Sequence, residues 1–396
     1  MAIINAAEFW KIMKRLIEQL SKSFNDIRRC GILFLLCVGM FGNGEVQGRP
    51  SGNGSPAEGF APAKNGRDFD RISIHPNSED WLFTECSHEL NPAGDCLVLR
   101  YNLKTQQLQR YQLPDGYLYS YASFSPQGHY IVINRAPKHD GSETQIQQSI
   151  ENAEIVVMRS NGTDFRVLPL AKGSKLAPFM SLDETKIAYW RPGVLRSPGG
   201  KTMSTDFDVY EYDLKSQSDS LFSGRYQFFE AGNAQYISAD EILLSSYGPR
   251  KYAQSMGDYQ KKYNGSEVYK LKRNNPDLPV PSFTEIEHAR DSSADNQGNT
   301  YFSGQKLPSP GASFFKRSPA GDITLWQQPL NLIALRHVVA APDGRYIAFI
   351  YASEGSRYRD QKSAFGRLDT GTPQWLPIDM PALAASTLLP VRPATD

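Results

Sequence analysis

Lysine and arginine side chains are concentrated in two segments of the chain, 191–205 and 247–265, and the second segment also carries four tyrosines. The first segment has three basic residues and no acidic one, and the second has four basic residues against Asp258. Guanidinium and ammonium groups bind carboxylates, and tyrosine beside arginine is typical of interfaces with proteins or glycans. These segments therefore predict a surface that binds an acidic partner.

We predict that twelve residues of these segments and of the weaker basic segment 353–363 form that surface. They are Arg191, Arg196, Lys201, Arg250, Lys251, Tyr252, Tyr259, Lys261, Lys262, Tyr263, Arg357 and Arg359. The expected partner is an acidic envelope protein or an anionic polysaccharide. The alternative interpretation is a solvated face that has no ligand.

The sequence lacks the common motifs of catalytic and metal-binding sites. It has no G-x-S-x-G motif, and its six histidines form no H-x-x-H or H-E-x-x-H pair. Segment 197–202 resembles a phosphate-binding loop, but Leu195 stands where that pattern requires its first glycine. A closed fold could bring His75, His288 and His337 together as metal ligands, although histidines in turns are more often structural. We therefore predict no metal, no cofactor and no catalytic residue.

Cys86 and Cys96 are the two cysteines outside the N-terminal region. In an exported protein they are expected to form a disulfide across the short segment between them. The alternative is a pair of reduced, partly buried thiols.

The elements that must position these residues are β-strands in a sixfold repeat. An apolar stretch, a polar turn and a second β-rich stretch recur between residues 69 and 380, with turns at 76, 126, 182, 239, 295 and 342. After a variable gap, two more β-rich stretches follow each turn. Four antiparallel strands in each of six units predict an all-β, six-bladed β-propeller, in which each blade is covered by its neighbours.

The variable gaps all fall between the second and third strands of a unit. In a propeller these connections leave the same face of the disc, and loops carry binding function more often than the strands beneath them. The gaps are 85–95, 135–152, 191–205, 247–265, 303–312 and 353–363. The last four sum to a charge of +8, whereas the first two carry −3 and −1. A basic arc is therefore expected on one face of a nearly neutral protein.

Two of the repeats resemble a known family. Phe124–Ile131 reads F-S-P-Q-G-H-Y-I and Ala341–Phe349 reads A-P-D-G-R-Y-I-A-F. Both are similar to the WD40-like (PD40) repeat of the TolB propeller family, and residues 155–163 resemble that family's third strand and turn. The resemblance covers roughly 69–380 and is weaker in the other four repeats. It implies a six-bladed propeller in a periplasmic complex of the cell envelope.

The resemblance stops before the propeller. Members of the TolB family carry an α/β domain at that point, for which we find no counterpart, so their role in the Tol–Pal complex is not transferred to this chain. Similar blades also occur in enzymes of the prolyl oligopeptidase type and in oligogalacturonate lyases. The resemblance alone therefore leaves both a scaffold and an enzyme open.

The N-terminal region predicts export. A basic stretch precedes Cys30–Phe41, twelve residues without charge, which is too short to span a membrane but fits a signal-peptide core. We assign 1–41 to a signal peptide or an uncleaved signal anchor and 42–67 to a flexible Gly/Pro-rich linker. The propeller is then 68–380, and 381–396 is a C-terminal tail that either supplies a closing strand or trails free.

Net charge and composition argue against two classes of protein. A net charge of +1 argues against a nucleic-acid binder, and 40 Tyr and Phe residues in 396 argue against wholesale disorder. We expect a monomeric, periplasmic or secreted protein that touches the membrane only through its N-terminal segment. Its expected function is that of a non-catalytic interaction scaffold in the bacterial cell envelope. The alternative is a propeller enzyme that cleaves acidic polysaccharide by elimination or hydrolysis.

Overall fold

The computed structural model describes residues 69–86, 96–140, 142–196, 202–263, 265–283, 286–305, 312–330, 333–352, 363–372 and 374–394. The predicted signal segment and linker, 1–67, lie outside these ranges. Six sheets carry the regular structure, and the strands of each blade are consecutive in the chain. The first three blades are β1–β4 (Phe69–Ile74, Asp80–Cys86, Cys96–Asn102, Leu108–Gln112), β5–β8 (Tyr117–Phe124, Tyr130–Pro137, Glu154–Arg159, Arg166–Val167) and β9–β12 (Leu176–Met180, Lys186–Arg196, Thr202–Asp213, Ser218–Leu221).

The last three blades complete the ring. They are β13–β15 (Ala234–Tyr236, Glu241–Ser246, Glu267–Lys272), β16–β19 (Glu287–Ala294, Thr300–Gln305, Ala312–Arg317, Ile323–Leu330) and β20–β23 (Ile333–Ala340, Tyr346–Ala352, Ser363–Asp369, Leu376–Ile378). The predicted all-β, six-bladed propeller is confirmed. Blade 4 differs, because its described residues form three strands. Pro276, Pro279 and Pro281 follow β15, and their missing N–H groups cannot extend a ladder.

Hydrophobic side chains point alternately to the two faces of each blade, so each blade contributes to two hydrophobic cores. In β2, Trp81 and Phe83 pack against blade 6, whereas Leu82 between them packs against blade 2. The second strands of the other blades divide in the same way, since successive side chains of a strand point to opposite faces. Six cores therefore separate six blades, and the ring is closed.

Side-chain packing joins the sheet of blade 6 to the sheet of blade 1. Trp81 is fully buried, and its Nε1 donates a hydrogen bond to the Tyr346 hydroxyl at 2.9 Å. Tyr346 in turn donates to the carbonyl of Ser78 at 2.9 Å. The rings of Phe69 and Phe365 lie 4.3 Å apart in the same core. Among the described residues, none of the strands β20–β23 of blade 6 pairs with a strand of blade 1.

The C-terminal tail forms a strap over this junction from outside. Strand β24 (Thr387–Pro390) pairs in parallel with β4, at the outer edge of blade 1. Beyond it, Arg392 exchanges backbone hydrogen bonds with Gly162 and Phe165 of blade 2. Leu389 packs into the core between blades 1 and 2. The tail therefore does not trail free. It supplies β24 as a fifth strand on the outer edge of blade 1 and links blades 6, 1 and 2.

Gly162 offers a direct test of the strap. It has a φ of +87°, and an added Cβ would lie 2.5 Å from the Pro390 carbonyl oxygen. We expect Gly162→Ala to lower the free energy of unfolding by about 1–2 kcal/mol more than Gly116→Ala. Gly116 is the matched control, since it has a φ of +89° but no neighbour within 4 Å. Equal losses in chemical denaturation would show that the strap contributes nothing at this point.

The segment 191–205 differs from its expected irregular loop. β10 continues to Arg196 and β11 begins at Thr202, so most of this segment is a projecting hairpin. The ladder between β10 and β11 is interrupted around Pro192, which has no N–H to donate, and resumes where Gly193 lies opposite Thr205. Two helices also lie within predicted gaps: α1 (Glu143–Glu151) and α2 (Met256–Tyr263).

Candidate functional site

The six connections between second and third strands leave one face of the disc, which we call the loop face. This follows from the topology, because every blade described starts at the axis and its strands alternate in direction outward. The tight turns between first and second strands, such as 75–79 and 125–129, lie on the opposite face, which we call the turn face. The largest described connection on the loop face is 247–266 of blade 4, which we call the basic loop.

Helix α2 fixes the basic loop to the blade beneath it. Tyr259 of this helix is fully buried, and its hydroxyl lies 2.6 Å from that of Tyr269 in β15. The Tyr269 hydroxyl donates to the Gly248 carbonyl at the start of the loop. Tyr259 was expected to contact a partner, but its burial makes it an anchor of the loop instead.

Arg250 and Tyr252 brace the other half of the basic loop. Arg250 donates from Nε to Asp206 Oδ1 at 2.6 Å and from one terminal nitrogen to the Gln254 carbonyl at 3.0 Å. Its guanidinium also lies over the Phe229 ring, 5.0 Å from the centroid. Tyr252 donates to the Pro279 carbonyl at 2.7 Å. Both side chains therefore stabilise the conformation of the loop through their hydrogen bonds.

Lys251 and Lys262 are the exposed cations of this loop among the described side chains. Lys251 lies in the 3-10 turn Arg250–Tyr252, and Lys262 lies near the end of α2. In blade 3, Arg191 is half-exposed; it lies over the Tyr210 ring and 3.8 Å from Asp219. The structure thus brings part of the predicted basic surface to one face.

The remaining predicted residues fall outside what the structure describes. Lys201, Arg357 and Arg359 lie between the described ranges, as do the side chains of Arg196, Lys261 and Tyr263. Their role in binding stays a prediction.

Two buried carboxyl groups lie at the base of the basic loop. Glu267 is the first residue of β15, and Glu230 precedes β13. Burial raises the pKa of Glu267 to about 8, and the nearby Glu287 carboxylate adds to this rise. Burial likewise raises the pKa of Glu230 to about 8, against the opposing effect of Arg290. Within the described residues, Oε2 of each has no hydrogen-bond partner.

The raised pKa of Glu267 predicts a pH-dependent stability. Between about pH 4.5 and about pH 8 the folded state holds a proton that the unfolded chain has lost, so the free energy of unfolding falls as the pH rises. Glu267→Gln should remove this contribution and raise the melting temperature at about pH 8 more than at about pH 5. The exposed Glu151→Gln serves as control. An unchanged pH slope in the Glu267→Gln variant would contradict the buried, protonated state.

A second group of six residues, five of them polar, lines the axis. Five inner strands each place one of these residues three positions before the last residue of the strand, and in blade 4 the corresponding residue directly precedes β13. We call these six residues the axial ring. They are Arg71, Tyr121, Ala177, Asn233, Asp291 and His337. All but Asn233 have a φ between 37° and 54°, and the sheet register is irregular beside each of these five. A bulge in the left-handed region re-aims a side chain, and such bulges are common next to functional sites.

Contacts across the axial ring join blades that are not neighbours in sequence. His337 Nδ1 of blade 6 lies 3.1 Å from Asn233 Oδ1 of blade 4. Its Nε2 lies 3.7 Å from Asp70 Oδ1 of blade 1. Sequence reasoning missed this ring, because β16 carries several polar residues and β9 has Ala177 at the ring position, so no polar residue recurs at one position of every inner strand.

The three histidines considered as metal ligands do not meet. His75 lies in a tight turn of the turn face, against Phe124, whereas His337 lies in the axial ring. His288 packs against Gly265, where an added Cβ would lie 2.0 Å from its Nδ1. In the described part of the chain, no group of three His, Cys, Asp or Glu side chains is placed to hold a metal ion.

Cys86 and Cys96 lie directly opposite each other in the β2–β3 ladder. Cross-strand Cα atoms are about 4.5–5.5 Å apart, which is within the range that a disulfide spans. The register is therefore compatible with the predicted disulfide, which stays a prediction. Across the described ranges, we find no helix with both the length and the hydropathy needed to cross a bilayer.

No protein-family model matches this chain, and no curated protein sequence matches it. Solved structures share its fold at low identity. The oligogalacturonate lyase of Vibrio parahaemolyticus is 11% identical, with a TM-score of 0.50 over 80% of this chain and 79% of that one. The tricorn protease is also 11% identical, with a TM-score of 0.50 over 80% of this chain and 26% of that one.

TolB from Acinetobacter baumannii is 12% identical, with a TM-score of 0.49 over 80% of this chain. This chain spans 64% of that TolB and 53% of a similar puromycin-hydrolyzing peptidase from Mycobacterium tuberculosis. Likeness at these identities shows the propeller fold alone. The expected six-bladed propeller is therefore confirmed, whereas membership of the TolB-like (PD40) family stays a prediction.

Proposed function

We propose that this protein is a non-catalytic interaction scaffold of the bacterial cell envelope that binds an acidic protein through its loop face. The observation that carries this proposal is the braced basic loop of blade 4. Because Arg250 and Tyr259 already hold the loop in one conformation, Lys251 and Lys262 are presented with little ordering cost on binding. The export signal predicted in residues 1–41 supports a periplasmic or secreted location.

Affinity capture from an envelope extract, followed by titration of the purified partner, tests this proposal. We expect one acidic protein to bind saturably, with an affinity that falls as the salt concentration rises, since the contact is made by exposed charges. Binding that does not weaken with salt, or that is not saturable, would reject the proposed mode of recognition.

An enzyme that cleaves acidic polysaccharide is the second candidate. The observation that favours it is the axial ring, where His337 approaches Asp70 to 3.7 Å. A histidine beside a carboxylate is suited to proton transfer. Incubation with polygalacturonate and other uronic-acid polymers separates the candidates, because the scaffold predicts no shortened chains. Product formation that is lost in His337→Gln would favour the enzyme.

A further inference from the structure

The guanidinium of Arg71 is the most unusual charged group of the axial ring. Arg71 is 7% exposed, and within the described residues its side chain makes no hydrogen bond and no salt bridge. A guanidinium has five N–H donors and stays charged in proteins. Burying such a group without a hydrogen-bonded anion is strongly unfavourable. The structure therefore leaves a buried cation whose donors are available to a ligand.

Asp70 is the acidic neighbour whose charge acts on the Arg71 guanidinium, but within the described residues no hydrogen bond joins the two side chains. Asp70 Oδ1 lies 3.7 Å from His337 Nε2, beyond hydrogen-bonding distance, and Asn233 Oδ1 lies 3.1 Å from His337 Nδ1. The hydrogen-bonding capacity of Arg71 is therefore not used by these two groups. The left-handed φ of Arg71, 37°, sets its side chain at the bulge of β1 rather than on either regular face of the blade.

We propose that the axial ring is a binding site for a small monocarboxylate, held by Arg71. Guanidinium groups recognise carboxylates through two parallel N–H···O hydrogen bonds. Asp70 and Asp291 lie on the inner strands and repel anions in proportion to their charge, so a monocarboxylate is favoured over a phosphate dianion at Arg71. The ligand is either a sugar acid or the terminal carboxylate of a peptide, which share this chemistry.

Melting temperatures measured in sodium acetate and in sodium chloride of equal ionic strength test the site. A ligand that binds only the folded state raises the melting temperature with its concentration. We expect acetate to do so for the wild-type protein and not for Arg71→Met, which removes the charge but keeps much of the volume. Arg159→Met, an exposed arginine outside the ring, should respond to acetate as the wild type does. Inorganic phosphate should have a weaker effect than acetate.

Titration calorimetry of the wild-type protein measures acetate binding directly, whether or not the Arg71→Met variant folds. One acetate per chain is expected, and Arg71→Lys should bind it about tenfold more weakly because an ammonium cannot make the bidentate contact. Galacturonate and N-acetylalanine then distinguish the two sources, since the better ligand identifies the class. An acetate effect that is absent in the wild type, or equal in wild type and Arg71→Met, overturns the proposal.

This site is independent of the loop face. Arg71→Met should still capture the acidic protein, and variants of the basic loop should still bind acetate. Failure of one proposal therefore leaves the other standing.

Discussion

Replacing Lys251, Lys261 and Lys262 by glutamate is expected to weaken capture of the acidic partner by at least about 100-fold. The substitutions change the charge of segment 247–265 from +3 to −3. Like charges brought together at an interface cost several kcal/mol, which corresponds to more than two decades in affinity. Arg250 is left unchanged because it is bonded to Asp206 and supports the loop. Titration of the purified partner measures the effect.

The matched control carries the same charge change on the other face. Lys104, Lys215 and Lys272 are exposed and lie at the turn face, where the third strands of blades 1, 3 and 4 end. Their triple glutamate variant should bind the partner as the wild type does. Both variants should melt within about 2 °C of the wild type, since surface substitutions rarely change stability. Equal losses of binding in both would attribute the effect to net charge rather than to the loop face.

Trp81→Ala is expected to lower the free energy of unfolding by about 3–5 kcal/mol. The indole is fully buried between blades 1 and 6, and it contacts the Phe365 ring at a centroid distance of 5.8 Å. Its loss leaves a cavity at the junction and removes the donor to Tyr346. Chemical denaturation measures the loss.

Trp326→Ala provides the comparison for that loss. Trp326 lies in the outer strand β19 and is only partly buried against Tyr301. Its removal should cost less than half as much, because less apolar surface returns to water. If the two variants lost equal stability, the junction between blades 1 and 6 would not be the critical contact of the ring.

Alternation and turn chemistry were sufficient to predict the propeller. Strands such as β6 and β21 follow a turn whose glycine has a positive φ, as in Gly128 and Gly344, and then alternate between two cores. Each local signal is weak, but six repetitions fix the number of blades. The strap was not predictable, since β24 is short and mostly exposed and only its pairing with β4 defines it.

The candidate site was predictable as a set of segments but not as a surface. The sequence identifies the basic loop, yet it cannot show that Tyr259 is buried while Lys262 is exposed, because both lie on one short helix. Nor does it show that Arg250 is paired with Asp206, which is 44 residues away in another blade. Such pairs arise only from the closed ring, which brings blades 3 and 4 together.

Hydrogen–deuterium exchange of the protein with and without its partner shows directly whether the loop face binds. We expect slower exchange in the basic loop, 247–266, and in the hairpin formed by β10 and β11 on the same face. Exchange in the turns 75–79 and 125–129 should not change. Protection confined to those turns would place the partner on the opposite face and contradict the account.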